Sequence, residues 1–156
     1  MKAHIAWLDK NIAGLDEDMG KRLRSCEIWR VKDDLLQSIP GVASVTSRSM
    51  LGGCPELGGL DRRAIAKLVG VAPLNHDSGK HRGQRHIWGG RADLRCVLYM
   101  ATLSAMRCNP LIRPFAQRLK QAGKPKKVVI VACMRKLLTI MNAILRTNTP
   151  WSPRTA

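Results

Sequence analysis

Ser78 stands directly before Gly79 in the stretch NHDSGKHRGQRH, Asn75 to His86, which also holds three of the chain's four histidines. Lys80, Arg82 and Arg85 lie in the same stretch and Arg91 follows shortly after. These residue types are the parts of a phosphoryl-transfer site. Glycine lets the backbone approach a ligand closely. The cations can hold phosphate oxygens and offset charge building on phosphorus while a serine hydroxyl attacks it and forms an ester. Ser-Gly in a basic loop is also an ordinary solvated turn, and spacing alone does not choose between the two.

The neighbouring groups narrow the chemistry. His76, His81 and His86 recur every five residues, which does not place metal ligands on one helix face. They read as phosphate-contacting or solvated groups. Either His76 or His81 could act as a base toward Ser78, and nothing in the spacing selects one. Asp77 and Asp93 are the only carboxylates near the stretch. Two-metal phosphodiester cleavage needs several acidic ligands, so metal-dependent cleavage by this region is not expected and no metal site is assigned.

Charge points the same way. The 156 residues carry 27 basic and 11 acidic side chains, a net of +16. Met1 to Gly58 holds eight of each sign, so the whole excess lies from Gly59 onward, where Asp61, Asp77 and Asp93 are the only acids. Such a field draws polyanions, and nucleic acid is the expected partner. The five cysteines are scattered without a Cys-x-x-Cys pair and read as reduced packing thiols. No signal peptide or membrane span is legible; the most apolar run, Val128 to Met134, is short for a bilayer. A cytoplasmic protein with no membrane partner is expected.

Helices must position the serine loop, and the chain reads as all-α. Ile5, Leu8, Ile12, Leu15, Met19 and Leu23 recur at spacings of three and four, a coiled-coil seam within residues 1–30. That seam is either a dimerisation arm, engaging through residues 3–23, or a face packed on its own domain. Residues 35–51 resemble a helix-hairpin-helix around Pro40-Gly41. The N–H groups near Gly41 would suit a phosphate there, although an ordinary turn between helices fits as well. GGCPELGG breaks the pattern, and Asp61 can cap a helix bearing Ile65, Leu68 and Val69. The serine loop occupies 74–91, with His86-Ile87-Trp88 as a short extended piece. Helices follow over about 91–107, 110–122 and 124–146, the last with an apolar face of Val128, Val131, Leu138, Met141, Ile144 and Leu145. Lys126 and Lys127 at its start are further DNA-binding candidates. The domain ends near 151, and the tail TNTPWSPRTA, with 152–156 beyond the domain, is expected to fray.

Taken jointly, IPGV (39–42), CPELG (54–58), DRRAIAKLVGVAP (61–73), DSGKHRG (77–83), IWGGRADLRCVLYMA (87–101), NPLIRPF (109–115), GKPKKVVIVACMRKLL (123–138) and TPW (149–151) resemble the insertion sequence 110-type transposases, the 116/902 group. The likeness covers the C-terminal transposase domain and the coiled coil before it. It implies a DNA recombinase whose nucleophile, matched here by Ser78, forms a phosphoserine link to DNA. It also implies an RNase-H-like (RuvC-type) domain with four acids, to which magnesium would belong; that domain is not in this sequence. Some members are guided by a structured RNA, so guide RNA joins DNA among the expected partners. Only Ser78 is carried over as catalytic; Lys80, Arg82, Arg85 and Arg91 are read from charge as backbone contacts.

The sequence departs from the family pattern at SRSMLGGCPELG, where Gly52 and Gly53 would cost about 1 kcal/mol each within a helix. The expectation is a truncated transposase that binds DNA in the bacterial nucleoid without recombining it alone and without a cofactor of its own. The alternatives are a non-enzymatic DNA-binding or dimerisation module that interferes with a full-length transposase, and a basic RNA-binding protein.

Overall fold

The computed structural model describes residues 1–75, 77–79, 81–83 and 85–153, with the side chains of His81 and Arg82 outside the description. The fold is all-α: the described residues form seven helices and four two-residue strands, of which the first pairs with the fourth and the second with the third. In chain order the helices are α1 (Lys2–Ser25), α2 (Glu27–Gln37), α3 (Ser44–Gly53), α4 (Arg62–Val69), α5 (Ala92–Cys108), α6 (Ile112–Gln121) and α7 (Lys126–Thr147).

The core is built around α7, which packs against α2, α4, α5 and α6. Ten of its residues are buried, from Val129 and Ile130 through Cys133, Met134, Leu137 and Leu138 to Ile144. By length and composition this helix could cross a bilayer, but just over half of its apolar stretch, 56%, is buried inside the protein, as in the core helix of a helical domain. Val128, which the periodicity places on the apolar face, is exposed, whereas Val131 is half-buried and packs against the core. Leu138, Met141 and Ile144 are buried as the periodicity expects, and Val129 and Ile130 are buried as well.

Buried amides connect the core to the loops. Asn142 of α7 accepts from Gly58 N–H at 2.8 Å and donates to the Leu60 carbonyl at 2.8 Å. Asn109 caps α6 through its Oδ1, taking the Leu111 and Ile112 N–H groups, and donates to the Pro40 carbonyl at 3.1 Å. Each pairs partly buried backbone groups, and a backbone group left buried without a partner costs about 1–3 kcal/mol.

Local signals explain most element ends. Asp61 caps α4, accepting from Arg63 and Ala64 N–H, and Gly70 closes it in a left-handed conformation. The α1–α2 junction is sharper than one continuous seam implies: Cys26 is extended there, with φ −109° and ψ 115°. The C-terminal segment does not fray at Thr149–Trp151. Trp151 is half-buried against the core, and its backbone N–H donates to Ser38 Oγ at 2.9 Å, tying the chain end to the end of α2. Residues 154–156 lie outside the described residues.

Candidate nucleic-acid interface

The serine loop is a nested ribbon rather than a structureless loop. β1 (Pro73–Leu74) pairs antiparallel with β4 (His86–Ile87), and further out β2 (Asp77–Ser78) pairs with β3 (His81–Arg82). The register sets Pro73 opposite Ile87, Leu74 opposite His86, Asp77 opposite Arg82 and Ser78 opposite His81. Gly79, next after Ser78, takes φ +55°, as the first residue of a tight two-residue hairpin turn requires. Ser78 therefore sits at the ribbon tip. Asp77, Ser78 and Gly79 are all exposed, so the hydroxyl is open to a large substrate.

The ribbon is held firmly at its root. Arg91, the N-cap of α5, donates Nη1 to Glu56 Oε2 at 2.7 Å and Nη2 to Oε1 at 2.6 Å. Nη1 also donates to the Gly53 carbonyl at 2.8 Å. This bidentate bridge holds the Glu56 carboxyl down at about 2, with the Arg91 hydrogen bonds as the main cause. Burial, with the Glu56 charge beside it, pushes the Cys54 thiol up. The backbones of Gly70 and Gly90 meet so closely that a Cβ on either would collide with the other turn. Arg91 N–H donates to the Leu68 carbonyl at 3.0 Å, and Arg95 reaches the Gly89 carbonyl at 2.5 Å.

The candidate cations divide by place. Arg85 is exposed on the ribbon, and Lys126 and Lys127 are exposed where α7 begins. Arg85 and Lys127 line a common groove. Arg91 is engaged by Glu56, so its guanidinium braces the ribbon root as it stands. Lys80 and His76 lie outside the described residues, and of Arg82 only the backbone is described. Gly41 is elsewhere: it takes φ +98° and packs against the Ala105 backbone near the far end of α5. Fourteen helical residues separate Ala105 from Arg91, roughly 20 Å at the helical rise. The structure thus does not bring Gly41 to the serine ribbon. Among the described residues no group of three His, Cys, Asp or Glu side chains converges.

Residues 33–117, more than half of the chain, match the family described as Transposase IS116/IS110/IS902. The chain belongs to this transposase family. The matched span runs from α2 to α6 and includes the whole serine ribbon with its Glu56–Arg91 brace. Among curated relatives, the pilin gene-inverting protein of Moraxella bovis is 32% identical over 152 residues, covering 95% of this chain and 47% of the relative. Its counterpart in Moraxella lacunata matches equally, at 32% over 152 residues. A 42 kDa insertion element IS900 protein of Mycobacterium paratuberculosis, itself uncharacterized, is 27% identical over 97% of this chain and 39% of its own length. This transposase-family chain thus spans less than half the length of these relatives.

Sequence reasoning missed two features of the site. Glu56 was legible only as part of the CPELG motif, because its partner lies 35 positions away. The groove cations Arg62, Arg63, Arg135 and Lys136 were also unassigned. The four-residue step from Lys127 to Val131 to Arg135 to Thr139 would have placed Arg135 on one face with Lys127.

Proposed function

We propose that this chain is the serine-bearing part of a DNA transposase, and that Ser78 is its nucleophile. The observation that carries this reading is the exposed position of Ser78 at the tip of a braced ribbon in a chain of a transposase family. In the proposed step the Ser78 hydroxyl oxygen attacks a DNA phosphorus. A phosphoserine ester forms, one bond from phosphorus to a deoxyribose oxygen breaks, and that oxygen leaves as a sugar hydroxyl after gaining a proton. His81, the cross-strand partner of Ser78 in the ladder, is the first histidine to test as acceptor of the serine proton. Arg85, Lys80, Arg82, Lys126 and Lys127 hold the DNA backbone on either side of the attacked phosphate. DNA as partner would place the protein at the bacterial nucleoid, in the cytoplasm. A guide RNA would extend the same basic surface.

The test is trapping of a covalent protein–DNA adduct under denaturing conditions, using terminal DNA of an insertion element and a full-length relative with the corresponding serine beside this chain. Ser78→Ala is expected to remove the adduct and to leave salt-sensitive DNA binding intact. An adduct of undiminished yield in that variant would exclude Ser78. Stronger binding to structured RNA than to duplex DNA at matched salt would move the reading to an RNA-binding protein.

A second reading has its own observation. The seam residues Ile5, Ile12 and Leu15 of α1 are 53%, 58% and 66% exposed, so the helix offers an uncovered apolar edge. This supports an assembly through residues 3–23, with another copy or with a full-length transposase, in which the chain acts as a binding module.

A further inference from the structure

One face of α7 belongs neither to the core nor to an ordinary surface. Lys127, Val131, Arg135, Thr139, Ala143 and Thr147 follow every four residues and line a groove of about 1250 Å³. Val71, Pro73 and Ile87, at the ribbon base, supply apolar lining from outside the helix. Phe115 and Trp151 add aromatic surface. The charged lining is of one sign. Arg62, Arg63, Arg85, Lys127, Arg135 and Lys136 all line the groove, and among the described lining residues there is no carboxylate.

An apolar floor with cations and no acid specifies its occupant by complementarity. From Lys127 to Thr147 the helix rises roughly 30 Å, the length of five to six helical turns. Single-stranded nucleic acid fits the charge but not the floor. Bases bind such channels by stacking on free aromatic faces, and most of this floor is aliphatic. Phe115 already carries the Arg118 guanidinium 5.3 Å and the Lys136 ammonium 4.8 Å from its ring centre. A helix with one apolar stripe flanked by carboxylates satisfies both features at once.

We propose that the α7 groove docks an acidic amphipathic helix of a partner protein chain. Its apolar stripe lies on Val131, Ala132, Ala143 and Phe115, and its carboxylates face Arg62, Arg63, Arg135 and Lys136. The ribbon base forms part of the groove, so a docked helix sits beside the root of the Ser78 ribbon. The inference does not depend on Ser78 being a nucleophile.

The experiment measures fluorescence anisotropy of a labelled designed helix of about 18 residues, roughly 27 Å long. It carries a leucine stripe flanked by glutamates; a matched peptide carries lysines instead. The glutamate peptide is expected to bind about tenfold or more tightly than the lysine peptide, and equally well to Ser78→Ala. Ala132→Gln combined with Ala143→Gln should weaken it about tenfold. Arg62→Glu combined with Arg63→Glu should do the same; these lie in the exposed first turn of α4, where acids suit the helix dipole, and so test the groove without touching its core. Equal binding of the two peptides, or glutamate-peptide binding unchanged in the charge-reversed protein, overturns the proposal. So does competition for the groove by oligothymidylate, which would assign it to single-stranded DNA, or by a peptide of residues 2–25, which would assign it to a second copy.

Discussion

Glu56 and Arg91 tie the start of α5, which follows the ribbon, to the segment between α3 and α4. Two charge-assisted hydrogen bonds in a fork geometry fix direction as well as distance. The pair is partly exposed, so its weight in stability is modest, while its weight in orientation is larger. Because the carboxyl is held at about 2 in the fold, the ionised form is favoured by folding. Its contribution is present above the ordinary glutamate range, declines as pH falls below that range, and is gone below about 2. Glu56→Gln is expected to flatten the acid limb of a Tm-against-pH curve between about pH 4 and 2, and to lower adduct yield at neutral pH more than it lowers DNA affinity. An acid limb identical to wild type would show that other carboxylates carry it.

Among the elements, α3 shows how two adjacent glycines differ in purpose. Both lie in its last turn. A Cβ on Gly53 would fall 2.6 Å from Leu94 Cδ2, whereas one on Gly52 would meet nothing. Gly52→Ala should therefore stabilise by about 0.5–1 kcal/mol through helix propensity. Gly53→Ala should destabilise, by about 1–3 kcal/mol, because Leu94 must move out of a packed position. Urea denaturation of both variants checks the pair of signs. The α1 helix raises a different question. Arg48 of α3 donates to the Asp16 carbonyl at 3.1 Å, and Gly20 is buried against Arg48, so α1 is anchored near its C-terminal half while its seam stays open. Leu15→Asp is expected to reduce self-association measured by sedimentation without altering the melting of the helical core. Unchanged sedimentation would mean the seam does not drive assembly.

Across the whole molecule, charge and fold are arranged separately. The core around α7 contains almost no ionised group, whereas the excess of +16 rests on surfaces contributed after Gly59. If Lys80, Arg82, Arg85, Lys126 and Lys127 each meet one phosphate, log Kobs against log salt should fall with a slope of roughly −4 to −5 for duplex DNA. Arg85→Ala should reduce the slope by about one, and Gly41→Ala should leave it unchanged while lowering stability. A slope unaffected by Arg85→Ala would remove Arg85 from the DNA contact.

Much of this could be read from residue order, because the controlling forces act locally. Helical period, the Asp61 cap and the Gly70 stop are set within a turn or two, and charge asymmetry requires only counting. The ordered run of motifs was enough to identify the family, and with it Ser78 as the residue to test. Three things depended on contacts far apart in the chain. The pairing of Ser78 with His81 depends on the register of a ribbon whose residues give little hydrophobic pattern. The bridge from Glu56 to Arg91 closes over 35 positions. The side of α7 left facing the groove was settled by how α2, α4, α5 and α6 pack around it, since a helix apolar on most of its circumference does not declare which stripe will be covered.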